Sequence, residues 1–470
     1  MAIIASTPEN DAAVLATLPY LLLTIAFTFL AVVRKSVSLS LMEGLTCYIL
    51  PETDEERWRA RIAKATHEKK SSESKRRAKG ARAPPAGNID ELGENSIAAI
   101  AMTKNQLILK PFWSHVDRLV FFACLVIVHC VAREVHAFVV ASDGGAGSDA
   151  EGTTTTTTTN VLLAPLAAFS AVSAMRALVR AAIDPASTPA VERHVAVAAG
   201  FIGFAFSLVF LLSSPAFARA FEVAETARLT AGATLAETRA FGMEIVTLAE
   251  MQVCVALSAL AGFINAALFA PATRVDAPSW DEGRGFVGAS VARATCLRVA
   301  ITIPFVAMIA WFDPLMRDPL GLSESALATA KAASLVVAGA ALLLATPSLT
   351  QGFLDGAIIT WYEVQHDGIA LDASAALASR NAVRQKLMVT NRLACKVATQ
   401  AAAPAALFVS CGALLLAEGD GAGFSVLNRI APAVAWRTIA SYVGWWSCAS
   451  WAFTTCASIA GHNVGAGALV

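Results

Sequence analysis

The residues of this chain best placed to do chemistry lie inside apolar blocks. One block reads His129-Cys130-Val131-Ala132-Arg133-Glu134-Val135-His136. His129, Arg133 and His136 are spaced i, i+4, i+7 and share one helical face, with Glu134 well round the helix from them. A charge at mid-bilayer costs about 2.5–3.5 kcal/mol on insertion scales, so such side chains face a bundle interior, a partner or water. The stripe has two readings. In one it lines an aqueous path or binds a partner helix. In the other Arg133, Glu134 and His136 sit near the outer interface and reach into water, leaving His129 as a hydrogen-bonded packing residue.

A second block carries Glu250, Gln252 and Asn265, with Ser258, Gly262, Ala266 and Ala270 at four-residue spacing. Such a stripe of small residues lets another helix approach closely. Glu250 lies less than two turns from the block's outer end, where interface exposure is expected. A third block ends Ala310-Trp311-Phe312-Asp313-Pro314. Asp-Pro reads first as a helix terminator with its carboxylate in water, and second as an ion site at Asp313.

Catalytic signatures are missing. There is no Gly-rich phosphate loop, no HExxH and no GxSxG. The nine cysteines fall mostly within apolar blocks and form no CxxC or Cys/His ligand spacing. The expectation is a protein that is not an enzyme, with no catalytic residue, cofactor or metal.

The elements that must position these residues follow from composition. Of 470 residues, 56% are hydrophobic and 15% charged, and the mean hydropathy is +0.58. Soluble proteins carry about 25% charged residues, so an ordinary soluble enzyme and a disordered chain are excluded. Lys+Arg 36 balances Asp+Glu 36, which gives no indication of nucleic acid as a partner. The apolar surplus falls in blocks of roughly 20 residues, the length of a membrane-spanning helix. The fold class is therefore all-α, a polytopic helical membrane protein with about nine transmembrane helices. The spans are expected near 12–33, 117–140, 161–181, 195–217, 245–270, 298–313, 326–347, 394–417 and 436–460. Pro215 near the end of the fourth is tolerable in a membrane helix.

Orientation follows from Lys and Arg in the loops. Segment 34–115 holds Lys69, Lys70, Lys75, Arg76, Arg77, Lys79 and Arg82, whereas 142–160 holds no Lys or Arg. That contrast places 34–115 in the cytoplasm and 142–160 outside. Arg176, Arg180, Arg193, Arg274, Arg384, Arg392 and Lys396 then fall inside. The domains expected are a signal-anchor span over 1–33, a charged and partly flexible cytoplasmic loop over 34–115, and a helical bundle over 116–470. The N-terminus lies outside or in a lumen and the C-terminus in the cytoplasm, at the plasma membrane or an endomembrane. The lipid bilayer is the first partner. The loop's basic cluster reads as a solvated topology determinant, or else as a contact with anionic headgroups. The proline-free stretch 349–393 reads as a long cytoplasmic helix after the seventh span. The run Thr153 to Thr159, placed outside, would accept O-linked glycans. The two halves show no repeat, which weakens an inverted-repeat transporter reading.

Several segments, in order, resemble the transmembrane protein 161 family. They are Leu50-Pro51-Glu52-Thr53-Asp54-Glu55-Glu56-Arg57, Ala132-Arg133-Glu134-Val135, and Gly262-Phe263-Ile264-Asn265-Ala266 with Phe269, Pro271 and Arg274. Ile303-Pro304-Phe305 through Trp311, Pro314, Arg317 and Asp318 follows, then Gln351-Gly352-Phe353-Leu354-Asp355, and Arg437 with Ser441, Trp445 and Trp446. The threonine run, the short 418–434 loop and the alanine-rich composition depart from the family pattern. The resemblance implies a multi-pass membrane protein without assigned catalysis. Its family is associated with modulation of cation currents and protection from oxidative stress. It also implies membrane-protein partners such as ion channels, Glu134 as the matched charged residue, and Trp445 and Trp446 as packing or interface anchors.

Overall fold

The structure is a computed structural model. It describes residues 8–33, 36–49, 97–143, 160–231, 248–274, 291–311, 321, 323–367, 373–417, 424 and 427–467. The chain divides into two compact units, one of Met1–Glu43, Lys104–Gly352 and Cys395–Val470, the other of Gly44–Thr103 and Phe353–Ala394.

The larger unit is helical. Its helices in chain order are α1 Pro8–Val33, α2 Val37–Leu41, α3 Lys104–Ile108, α4 Trp113–Asp143, α5 Leu163–Ile183, α6 Ala190–Ser213, α7 Pro215–Ala220 and α8 Val223–Ala231. They continue with α9 Leu248–Thr273, α10 Val291–Ile309, α11 Glu324–Asp367, α12 Ala373–Leu416 and α13 Ala433–Gly467, where α11 and α12 contribute to both units. Each expected span overlaps a helix among the described residues. Six helices are long and apolar enough to cross a membrane: Trp113–Val139, Leu163–Ile183, Ala190–Ser213, Leu248–Thr273, Glu324–Ile358 and Asn381–Leu416. The apolar stretches of α1 and α10, Thr17–Val33 and Leu297–Ile309, are shorter. Helix α13 is long but carries Arg437 and many Ser, Thr and Trp residues, and is not among the six.

Burial separates centre from periphery. The apolar window of α12 is 94% buried, that of α6 only 22%. Helix α12 fits at the centre because it is built of small residues, with Ala401, Ala402, Ala403, Ala405 and Ala406 all buried. Its neighbours approach to backbone contact: a Cβ on Gly339 of α11 would lie 2.6 Å from the Ala405 carbonyl oxygen, and one on Gly412 would lie 2.6 Å from that of Ala332. Helix α6 turns Phe201, Phe206, Val209 and Phe210 outward, the apolar exterior that a lipid solvent favours.

One expectation needs correction. Pro215 does not end the fourth span. Helix α6 stops at Ser213, and Ser214 caps the next helix by accepting from the Phe217 N–H at 3.3 Å, with Pro215 in its first turn. The described residues of 349–393 fall on the distal part of α11 and the proximal part of α12, with 368–372 outside the described residues. Among its described residues, segment 34–115 also carries two short strands. Strands β1 Thr46–Ile49 and β2 Ala98–Ala101 pair antiparallel, with Cys47 opposite Ile100, beside an otherwise helical architecture.

Those strands belong to the smaller unit. Tyr48 donates its hydroxyl to Asp355 Oδ1 of α11 at 2.7 Å. Ala357, Val383 and Leu387 form a small core against which Tyr48 and Ile97 pack. Two short strands and two helix ends thus share one apolar contact, although about 300 residues separate them in the chain.

Candidate functional site

The polar stripe of α4 faces α1. His129 is fully buried. Its Nε2 lies 2.9 Å from Thr24 Oγ1, and its Nδ1 lies 3.2 Å from Asn160 Nδ2. Thr24 already donates its hydroxyl to the Tyr20 carbonyl at 2.9 Å. One assignment satisfies both ring nitrogens: a neutral imidazole donates from Nε2 to Thr24 and accepts at Nδ1 from the Asn160 amide nitrogen. Tyr20 stacks on His129 at 6.1 Å and meets His136 edge-on at 6.4 Å. Arg133 lies 3.8 Å from Glu134, with side chains 14% and 56% exposed respectively. The structure thus brings His129, Arg133 and His136 to one face, as the spacing requires, with His129 enclosed and Glu134 and His136 exposed.

The second candidate set lies between α6, α9 and α13. Ser258, Gly262 and Ala266 of α9 meet Gly200, Gly203 and Ser207 of α6. A Cβ on Gly200 would lie 2.9 Å from Ala266 Cβ, and one on Gly203 would lie 2.7 Å from Asn265 Cβ. The Asn265 amide donates to the Ala199 carbonyl at 2.6 Å, tying α9 to α6 across this contact. Ser207 donates to Ser258 at 3.0 Å, Ser258 donates to the Cys254 carbonyl at 2.7 Å, and the Tyr442 hydroxyl of α13 bonds Ser207. Trp446 Nε1–H donates to the Ala261 carbonyl at 3.1 Å, and Trp445 Nε1–H to that of Met308 at 3.2 Å. Ser258, Gly262, Ala266, Trp445 and Trp446 thus each lie in a helix contact. Glu250 is half-buried in the first turn of α9, where the positive end of the helix favours a carboxylate. Asp313 lies outside the described residues.

A third polar set was not anticipated. Lys396 of α12 is 1% exposed. Its Nζ donates to the Ser187 carbonyl at 2.9 Å and to Thr188 Oγ1 at 2.6 Å, both in the α5–α6 connection. Beside it Arg274, at the end of α9, pairs with Glu192 at 2.8 Å and donates to Gln400 Oε1. Asp184 accepts from the Ser187 hydroxyl at 2.6 Å, which holds its carboxyl below the ordinary carboxylate value. In sequence, Arg274 and Lys396 read only as loop charges. The available signal was their placement on one expected side of the membrane.

Among the described residues no group of three or more His, Cys, Asp or Glu is arranged to hold a metal ion. The hydrogen-bonded sets instead join helices: α1 to α4 and the start of α5, α6 to α9 and α13, and α12 to the α5–α6 connection.

No curated protein and no solved structure matches the chain. The sequence model of a family described as predicted transmembrane protein 161AB matches residues 21–337, more than half of the 470 residues. That span contains α4, α9 and their candidate residues, so the chain belongs to the transmembrane protein 161 family.

Proposed function

We propose that this protein is a non-catalytic membrane protein that modulates ion handling or stress signalling through membrane-protein partners. The observation that carries the reading is the enclosure of His129, whose two ring nitrogens are both engaged by protein groups. A conducting or coupling site needs such groups to face a shared cavity. Asn265 and Ser258 are likewise engaged in helix contacts, and the large crevice beside α5 is walled mainly by apolar side chains. The exposed Glu134 and His136, beside exposed Val135 and Phe138, offer a mixed polar and apolar surface to a partner.

The reading includes nine crossings with the N-terminus outside and the C-terminus in the cytoplasm. Cross-helix contacts support the alternation. Ser36, after α1, bonds Asp117 at the start of α4. Arg274, ending α9, meets Glu192, starting α6. Ser458, late in α13, donates to the Thr273 carbonyl, and α9 and α13 therefore run the same way.

Whole-cell cation currents, recorded with and without the protein, test the reading. A modulator changes the amplitude or gating of currents already present and leaves their selectivity unchanged. A new current with its own selectivity would contradict it.

A further inference from the structure

An apolar crevice of about 810 Å³ runs along α5 between α9, α12 and α13. That volume falls within the ~300–1,000 Å³ of ordinary ligand pockets. One wall carries Ala168, Val172 and Met175, and Arg176, Arg180 and Asp184 lie towards the end of α5. From Ala168 to Asp184 the helix rises by about 24 Å, the reach of a long acyl chain with its headgroup. Val172, Phe263 and Ile439 are exposed, so the crevice opens on the outside of the bundle.

Its charge is unbalanced. Arg176 and Arg180 are exposed and one helical turn apart, and so share a face. A small hollow that shares Arg176 and Val172 with the crevice adds Arg118 and His115 from α4. No carboxylate among the described residues lies within ion-pair distance of Arg118, Arg176 or Arg180. Asp184, the one carboxylate at the rim, is occupied by Ser187 and the Ala186 N–H. Three arginines thus face one carboxylate. Arg176 also lies seven residues inside the end of α5, about 10 Å along the axis, a depth where an unpaired cation is costly.

We propose that this crevice binds an anionic phospholipid, its phosphate on Arg176 and Arg180 and an acyl chain along Val172 and Ala168. The apolar walls fit the tail, and the arginines supply the counter-charge that a zwitterionic lipid does not require. The proposal is independent of the modulator reading, because a transporter or an enzyme could carry the same site.

The test uses the full-length protein in detergent, with bound lipid read by native mass spectrometry from an equimolar mixture of phosphatidylserine and phosphatidylcholine. Phosphatidylserine should be retained preferentially. Each arginine near a membrane surface is worth about fivefold, so R176Q/R180Q should weaken retention by about thirtyfold while R176K/R180K keeps most of it. A168F, which fills the crevice and leaves the arginines, should also weaken it. Equal retention of both lipids, or unchanged retention in R176Q/R180Q, would overturn the proposal. So would competition by millimolar inorganic phosphate with no effect of A168F, which would mean a free-phosphate site. Should these variants fail to fold, the unmodified protein still gives an answer. Trp436 lines the crevice, its indole fixed to the Leu427 carbonyl. Phosphatidylserine with brominated chains should quench protein fluorescence more than brominated phosphatidylcholine, and W436F should remove that difference. Equal quenching by the two lipids would overturn the proposal.

Discussion

Gly262 and Gly200 meet backbone to backbone: a Cβ on Gly262 would lie 2.8 Å from the Gly200 carbonyl oxygen. No side chain fits between α6 and α9 at this point. Gly262→Val should therefore destabilise the bundle by about 1–3 kcal/mol, the usual cost of overpacking. Thermal unfolding in detergent measures it. Gly461→Ala is the control, because nothing lies within 4 Å of a Cβ there, and its midpoint should stay within a degree or two of the parent.

Arg274 and Glu192 should be energetically coupled. Their side chains are 26% and 23% exposed, so solvent screens part of the attraction. R274Q and E192Q should each lower stability, and the double variant should lose less than their sum by about 0.5–3 kcal/mol. A double-mutant cycle from denaturant unfolding decides this, and strict additivity would count against the pair.

The Ser187 hydroxyl stabilises the Asp184 carboxylate, so the folded carboxyl titrates below its unfolded value of 3.8. A depressed carboxyl contributes stability above the unfolded value and loses it as pH falls through the folded one. Ser187→Ala should therefore lower the unfolding midpoint at neutral pH. The gap between variant and parent should close as pH falls below 3.8. A gap that widens in acid would contradict the assignment.

His129 fastens α1 to α4. His129→Ala leaves Thr24 and the Asn160 amide short of a partner, at about 1–3 kcal/mol for buried groups left unpaired. The first helix should then loosen before the rest of the bundle. Hydrogen exchange should show faster exchange over residues 17–33 in the variant and little change over α12. Uniform exchange over both would mean His129 has no special part in holding α1.

Much of the fold is legible in the sequence because a membrane helix must be apolar over its whole length. The blocks around α4, α5, α6 and α9 have no other physical reading. The small-residue stripe Ser258, Gly262 and Ala266 is also legible, since its spacing names a close contact. Its partner stripe, Gly200, Gly203 and Ser207, is spaced by three and four residues along one helical face and is legible in the same way. Which helix would meet which is not, because small residues set how near a neighbour comes and not its identity. Lys396 reads in sequence as a loop charge because position on a membrane side is a one-dimensional property, whereas its burial needs the α5–α6 connection folded over it. Strands β1 and β2 are four residues each, too short for a period to register. Asp355, the partner of Tyr48 on β1, lies about 300 residues away.

The central claim is that the buried polar residues inside the spans hold helices together and that the polar residues of the spans do not line an ion path. Cation flux into proteoliposomes containing the purified protein alone, with Glu134→Gln alongside, tests it most directly. The account predicts no flux above protein-free vesicles for sodium, potassium or protons, in vesicles shown to hold folded protein. Flux that Glu134→Gln abolishes would contradict it and make the protein a carrier or channel in its own right.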